Sequence, residues 1–377
     1  MKKGVLCALI MVLWAGLCFA QEKSIIDVIA KRIEFHGELE AGYKLDSIKF
    51  RGDSDRKESS RFDLITAGFS IEAKVNDWIT VSAVPLFEID DFFIDEAHVT
   101  IGPTDRVPFY ISAGIHYYPF GRREEYTHFP DDPFVNLPIT LYYGELQDPG
   151  IILGFSKELT EGHSFTIEGY LYKPWVYACG SYDSIKRTKH ADSFGFDIHY
   201  NVEKKDISFE IGASWTSNIM DSSGIKSFFD GQDGVYVDSK IDAIAVYMSG
   251  EYKAFYFTAE YMLTCDPIKH ERLLEPDGSS AIPQLWIFEI GAALDSYFDL
   301  PLPIEVMFRY AGSVEAEHIY EIPKNRWAMG VNIGVYKYTT WSLAYAYNDY
   351  DPDYESVKCE GHADSRHLFF TQIAVEF

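Results

Sequence analysis

The sequence predicts an all-β protein, a transmembrane antiparallel β-barrel of about sixteen strands with short turns at one end and long loops at the other. Three observations predict it. An N-terminal export signal is followed by no apolar stretch long enough for a membrane helix, apolar and polar residues alternate in repeated segments, and the connections between those segments alternate in length.

The export signal is local and explicit. Lys2 and Lys3 precede the apolar run Val5 to Phe19, and Cys18-Phe19-Ala20 closes it in front of Gln21. A charged start, an apolar middle and a small residue at the end make a secretory signal peptide. Residues 1–20 are therefore expected to be removed by cleavage between Ala20 and Gln21. Leu17 stands before Cys18, where a lipoprotein signal wants a small residue. Residues 21–32, with Ile25, Ile26, Val28 and Ile29, read as a short periplasmic leader, and 33–377 as a single barrel domain. Past the signal nothing approaches the roughly 20 consecutive apolar residues of a spanning helix.

Composition fits a barrel. The chain has 26 Tyr and 27 Phe, and aromatics reach 16%, a supply that a barrel places in girdles at the two membrane interfaces. The net charge of −25 excludes nucleic acid as a partner, because like charge repels the phosphate backbone. Cys179, Cys265 and Cys359 remain after cleavage. An odd number without short spacing is neither a zinc pattern nor a disulfide framework, so at most one pair bridges, and which pair is left open.

Alternation is the main signal, because successive strand residues face opposite ways and a lipid-facing strand must read apolar, polar, apolar. Phe35, Leu39, Ala41, Tyr43 and Leu45 share one face while His36, Glu38, Glu40 and Lys44 share the other. Phe69, Ile71, Ala73 and Val75 oppose Ser70, Glu72 and Lys74; Ile207, Phe209, Ile211, Ala213 and Trp215 oppose Ser208, Glu210 and Ser214. Trp327, Met329, Val331, Ile333 and Val335 do the same against Ala328, Gly330, Asn332 and Gly334. Sixteen such segments are expected, at 33–46, 62–75, 78–88, 94–102, 107–118, 149–158, 163–173, 192–203, 206–217, 240–252, 254–264, 284–297, 302–313, 325–337, 339–348 and 366–377. The number is even, as closure of a bacterial barrel favours.

The connections give an independent check. Tight joints fall at Asn76-Asp77, Gly102 to Arg106, Leu159 to Gly162, Lys204-Lys205, Lys253, Phe298 to Pro301 and Tyr338, and between them lie the polar stretches 47–61, 89–93, 119–148, 174–191, 218–239, 265–283, 314–324 and 349–365. Both termini then sit on the short-turn, periplasmic side. Phe377 ends a last strand carrying Phe369, Ile373 and Val375, the form of signal by which barrel-assembly machinery receives its substrates. A soluble all-β sandwich or propeller shares the alternation but not this combination.

Sixteen strands is the size class that leaves an aqueous channel, so transport of small solutes is the expected function and outer-membrane lipid the expected surroundings. By parity the lumen receives Glu38, Glu40, Glu72, Glu96, Glu168, Asp197, Glu210, Asp242, Glu260, Glu289 and Glu305, against Lys44, Lys74 and Arg309, with His36, His98, His116 and His199. Rings of carboxylates favour cations. The stretch 119–148 is the third long loop, the position at which general porins fold a loop inward. Its Arg122, Arg123, Glu124, Glu125, Asp131, Asp132 and Glu145 are candidates for a constriction that sets opposed charges across the passage. A surface loop turned at Pro130, Pro133 and Pro138 is the alternative.

The run Ile94-Asp95-Glu96-Ala97-His98-Val99-Thr100-Ile101, then Ala113-Gly114-Ile115-His116-Tyr117-Tyr118-Pro119-Phe120-Gly121 and Gly144-Glu145, with the Asn76-Asp77-Trp78 turn and the strand closing on Glu88 before it, resembles the LbtU-type siderophore porins. The resemblance is concentrated in residues 65–150. It implies a barrel that passes an iron chelate without the plug domain of energy-coupled receptors, and the strands, turns and loops leave no segment for a plug. Two features depart from the family: the leader is short, and the acidic lumen suits a cationic or neutral chelate better than an anionic one.

Other classes are expected less. An outer-membrane hydrolase would need a Ser/His or Asp/His constellation, for which only His98 near Glu96, His116 near Ser112, and His362 to His367 around Asp364 offer themselves, with no G-x-S-x-G elbow. Cys359, Glu360, His362, Asp364 and His367 permit a metal site, but proximity in sequence is not convergent geometry. No enzyme activity, metal or cofactor is expected. A structural or adhesive barrel would show a packed lumen, and homotrimer formation is common in this size class. The reading is a siderophore-type outer-membrane pore, or failing that a general cation-preferring diffusion porin.

Overall fold

A computed structural model describes residues 32–87, 92–102, 107–122, 138–173, 191–229, 240–269, 274–275, 277–319, 322–351, 353–354 and 362–376. The signal segment, the leader up to residue 31 and Phe377 lie outside them, as do Cys179 and Cys359.

All sixteen expected strands form, in the expected order: β1 (Ile33–Phe50), β2 (Arg56–Asn76), β3 (Ile79–Phe87), β4 (Phe92–Ile101), β5 (Phe109–Tyr117), β6 (Gln147–Thr160), β7 (His163–Tyr172), β8 (Ser193–Lys204), β9 (Ile207–Thr216), β10 (Ala243–Tyr252), β11 (Phe255–Thr264), β12 (Gln284–Ala293), β13 (Ile304–Val314), β14 (Asn325–Tyr336), β15 (Thr339–Asp349) and β16 (Ala363–Glu376). Each pairs antiparallel with its chain neighbour, and β1 closes on β16 with Tyr43 opposite Thr371 and Ala41 opposite Ile373. Closure leaves no open edge, so every ladder amide finds a partner inside the wall, the condition for strands to cross a bilayer.

Two regions differ most from expectation. The first connection shrinks from 47–61 to five residues, because β1 runs on to Phe50 and β2 starts at Arg56. Beyond the membrane neither face of a hairpin is held to apolar side chains, so Ser47, Lys49, Arg56 and Glu58 hide a real strand from a periodicity reading; Arg56 ties it to Ser47 and to Ser365 of β16. The segment 284–297 ends its strand at Ala293 and finishes in a 3-10 turn, Leu294–Ser296.

The outer wall is apolar and exposed. Large side chains with 37% or more exposure, among them Leu39, Phe69, Leu153, Ile167, Ile198, Ile211, Ile244, Ile290 and Ile373, point outward from strand after strand, a surface only lipid covers stably. Aromatics collect at its two ends: Phe35, Phe109, Phe255, Tyr297, Tyr336 and Tyr338 near the short turns, and Phe87, Phe92, Phe194, Tyr261, Trp327 and Tyr345 near the long connections. Ile211 stands midway along β9 on the lipid face. Ile211→Arg is expected to cost about 2–4 kcal/mol of folding stability in vesicles, the penalty for a cation at the midplane of such a barrel; urea titration followed by gel mobility reads it.

Inside the wall, four tyrosines lie flat on glycines of the adjacent strand. Tyr110 covers Gly154, Tyr170 covers Gly195, Tyr247 covers Gly212 and Tyr256 covers Gly291, and in each case a Cβ would collide with the ring. The missing side chain is what admits the ring, so these glycines are read by packing rather than by turn geometry.

Candidate functional site in the barrel lumen

After β5 the chain turns into the barrel. Tyr118 and Phe120 are fully buried, and the short helix α1 (Ile139–Gly144), begun by Pro138, buries Ile139, Leu141 and Tyr143. These residues form one core with Ile152 and Tyr172 of β6 and β7, Met262 of β11 and Leu285 and Ile287 of β12. Tyr118 stacks against both Tyr170 and Tyr172, at centroid distances of 5.0 and 4.7 Å, and those two rings lie 6.1 Å from each other. The described ends of the third long loop, 118–122 and 138–146, therefore face inward, because they carry an apolar stripe that burial removes from water.

Its arm is fastened across the lumen. Gly121, with φ +74°, lies so close to Glu260 and Met262 that a Cβ would displace the ends of both side chains. Its amide donates to Ser214 Oγ at 2.7 Å, and the Arg122 amide donates to Glu260 Oε1 at 2.8 Å. The Arg122 guanidinium donates to Thr258 Oγ1 at 2.6 Å and its Nε lies 3.9 Å from Glu210 Oε1. A chain leaving β5 is thus held on the inner face of β9 and β11.

The fifth long connection joins it, which the sequence reading did not foresee. A 3-10 turn, Ile219–Asp221, leads into helix α2 (Ser223–Phe229). The Ser223 amide donates to the Glu145 carbonyl at 2.8 Å, and Gly224 sits where a Cβ would meet the Tyr142 carbonyl. Lys226 Nζ reaches the buried Asp148 carboxylate at 3.0 Å. Asp221 accepts from Asn218 Nδ2 at 2.7 Å and from Ser193 Oγ at 2.9 Å. No motif connects Lys226 to Asp148 along the chain, so only the fold reveals this latch.

Asp221 makes the latch sensitive to pH. Burial pushes its carboxyl up from 3.8 to about 6, with Asp148 adding to the rise and Lys226 opposing it. The docked state holds this proton more tightly than a solvated loop would, so docking is strongest below pH 3.8, weakens as pH climbs to about 6, and is constant above. Hydrogen exchange over 219–229, corrected for its intrinsic pH dependence, is expected to show more protection at acid pH. Asp221→Asn should flatten that profile.

The lumen walls differ in charge. On β7 to β11 stand Glu168, Asp197, Glu210 and Glu260; Asp197 accepts from Tyr247 at 2.9 Å and lies 2.7 Å from His199 Nδ1. On β12 to β1 basic groups are paired: Arg309 donates to Glu289 at 2.5 Å, Arg326 to Asn348 at 2.9 Å, and Arg366 Nε to Asp46 at 2.9 Å. Between these last pairs an apolar inner patch, Met307, Ala328, Ala344, Ala346, Leu368 and Phe370, lines the same wall.

The expected lumen residues fall into three places. Glu289 and Arg309 meet on β12 and β13, with Glu305 nearby accepting from Asn332 at 3.2 Å. Glu96, His98 and His116 lie on β4 and β5, eight strands round the barrel, where Glu96 accepts from the Tyr117 amide at 3.2 Å. Arg122 sits on β9 and β11. Arg123, Glu124, Glu125, Asp131 and Asp132 lie outside the described residues. One assignment is corrected: Asp242 precedes β10 and shares the parity of exposed Ile244 and Val246, not of buried Ala243 and Ala245. Ser112 spends its hydroxyl on Thr100 Oγ1 at 2.7 Å rather than on His116. Cys265 is a free, exposed thiol, and no group of three or more metal-binding side chains occurs among the described residues.

Sixteen closed antiparallel strands with connections folded into the lumen define the architecture of the outer-membrane porins. The comparisons agree on the fold. Pseudomonas putida OprB shares it with a TM-score of 0.58 at 11% identity, covering 94% of this chain and 96% of that one. An anion-selective porin from Comamonas acidovorans gives 0.56 at 9% identity, over 92% and 99%. In sequence the chain is 24% identical over 326 residues to a UPF0422 protein of Coxiella burnetii, covering 84% of this chain. It spans 64% of that relative's length, and 46% of a UPF0422 protein of Legionella pneumophila, also 24% identical. No protein-family model matches.

Proposed function

We propose that this protein is an outer-membrane channel for passive or substrate-selective passage of small solutes, with ferric siderophore uptake as the finer assignment. The observation that carries the channel reading is the described start of the third loop, fastened through Arg122 to Glu210, Thr258 and Glu260 on the inner face; in this reading the loop narrows the lumen between an acidic wall and a wall of paired arginines. A passage of that kind sorts solutes by size and by the distribution of their charge. The apolar patch around Leu368 and Phe370 beside Arg366 suits a solute with an apolar body and polar edges, as an iron chelate has. Arg123, Glu124, Glu125, Asp131 and Asp132 complete the constriction in this reading.

A second reading, a general cation-preferring diffusion porin, is favoured by the acid excess on β7 to β11 and the net charge of −25. Either reading carries an outer-membrane location, both termini in the periplasm, recognition of Phe377 by the assembly machinery, and no catalytic chemistry. Homotrimer formation goes with it: Ala83 and Ala97, opposite one another on β3 and β4, allow a second copy to approach closely.

Permeation through the protein refolded in liposomes separates the readings. A neutral sugar series is compared with an iron-loaded siderophore and its iron-free form. Uptake of the loaded chelate well beyond sugars of equal size supports the finer assignment; entry limited by size alone supports the general porin. No entry of any solute overturns both.

A further inference from the structure

The inner face of β4 and β5 carries a feature that transport does not use. His98 and His116 face one another with ring centroids 4.6 Å apart and planes tilted by 35°. They are not opposite in register, since His98 pairs with Gly114. Gly114 makes the approach possible: with φ +150° it leaves empty the space where a Cβ would strike His98 Cα at 2.6 Å and Cβ at 2.8 Å. His116 is only 4% exposed. His116 Nε2 and His98 Nδ1 are both buried without a hydrogen-bond partner in the protein.

Two buried imidazole nitrogens without partners, on adjacent rings, is an arrangement that costs stability unless something binds there. Packing alone does not account for it, because apolar rings would fill the same space without that cost. Acids raise the local attraction for cations: Glu72 lies close enough for its charge to act on His98, and it joins that histidine in register through Ser82. Imidazole pairs select divalent transition ions over the hard cations that oxygen ligands take. Each metal–nitrogen bond is about 2.0–2.1 Å, so an ion bound by both rings requires them to turn from the tilted face-to-face arrangement, centroids 4.6 Å apart, until one nitrogen of each points at it.

We infer that His98 and His116 form a two-histidine site for a divalent transition metal ion, Cu2+ or Zn2+ in chemical class, on the lumen wall. Water is left to fill the remaining coordination positions, and burial of both nitrogens makes exchange of the ion slow. It stands apart from the Arg122 constriction and does not rest on the channel reading.

Copper binding to the refolded full-length chain in detergent, at neutral pH, tests it directly. Electron paramagnetic resonance is expected to show one type-2 Cu2+ with nitrogen hyperfine structure. His98→Gln and His116→Gln should each weaken binding by at least about tenfold, the lower end of what losing even an outer-shell partner costs a metal site. Copper bound alike by wild type and the double variant overturns the proposal, as does a wild-type spectrum without nitrogen ligation. Heat-modifiable gel mobility reports whether the variants fold. Should they not, wild type with copper, ascorbate and air answers alone: ascorbate reduces the bound copper, the copper reduces dioxygen, and the reactive oxygen formed there oxidises the nearest rings, so 2-oxohistidine is expected at His98 and His116 ahead of the rest of the 11 histidines. Oxidation without that preference also overturns the proposal.

Discussion

Arg122→Ala is expected to loosen the third loop and make the lumen more cation-selective. The substitution keeps the amide that donates to Glu260 but deletes the guanidinium held at 2.6 Å from Thr258 and 3.9 Å from Glu210. Glu210 and Glu260 then keep their charge with less to balance it. Removing one partner of a fully buried pair costs about 3–5 kcal/mol. Glu210 is 25% exposed, so solvent screening reduces this case to about 1–3 kcal/mol. That suffices to shift the arm between docked and free positions without unfolding the barrel. Reversal potentials in planar bilayers under a salt gradient should move toward the cation value, with higher single-channel conductance. Unchanged reversal potential and conductance would mean that the arm does not govern permeation.

Arg309→Met is expected to have the larger effect on stability. Arg309 and Glu289 are buried to 4% and 10% side-chain exposure and meet at 2.5 Å on neighbouring strands. Methionine preserves the stem and removes the charge, leaving the Glu289 carboxylate on a wall that continues into Met307 and Ala328. About 3–5 kcal/mol should be lost, read as a lower urea midpoint for the barrel in vesicles. Because the cost belongs to the stranded charge, adding Glu289→Gln should recover most of it. Equal loss in the single and double variants would assign the effect to packing instead.

The sixteen strands were legible because a membrane enforces a rule on every strand. One face must be apolar, so Ile207, Phe209 and Ile211 against Ser208 and Glu210 announce both a strand and its orientation. The rule stops where the membrane stops. That is why Ser47, Lys49 and Arg56 concealed the extension of β1 and β2, and why Asp242, just outside β10, was assigned to the wrong face.

The lumen was legible only in part. Parity placed Glu289, Arg309, His98 and His116 on the inner wall, since each strand carries its own phase. It did not reveal that Glu289 and Arg309 pair or that Gly114 lets the histidines meet, because register between strands depends on turns and bulges rather than on composition. The Arg122 tether joins residues more than a hundred positions apart, and the Lys226–Asp148 latch depends on α2 resting against α1. Local sequence thus determined the strands and which side of the wall each side chain takes, because those follow from alternation against lipid. Contacts across the lumen were decided by the tertiary structure alone, because closing the barrel is what brings its distant walls and inward loops within hydrogen-bonding reach.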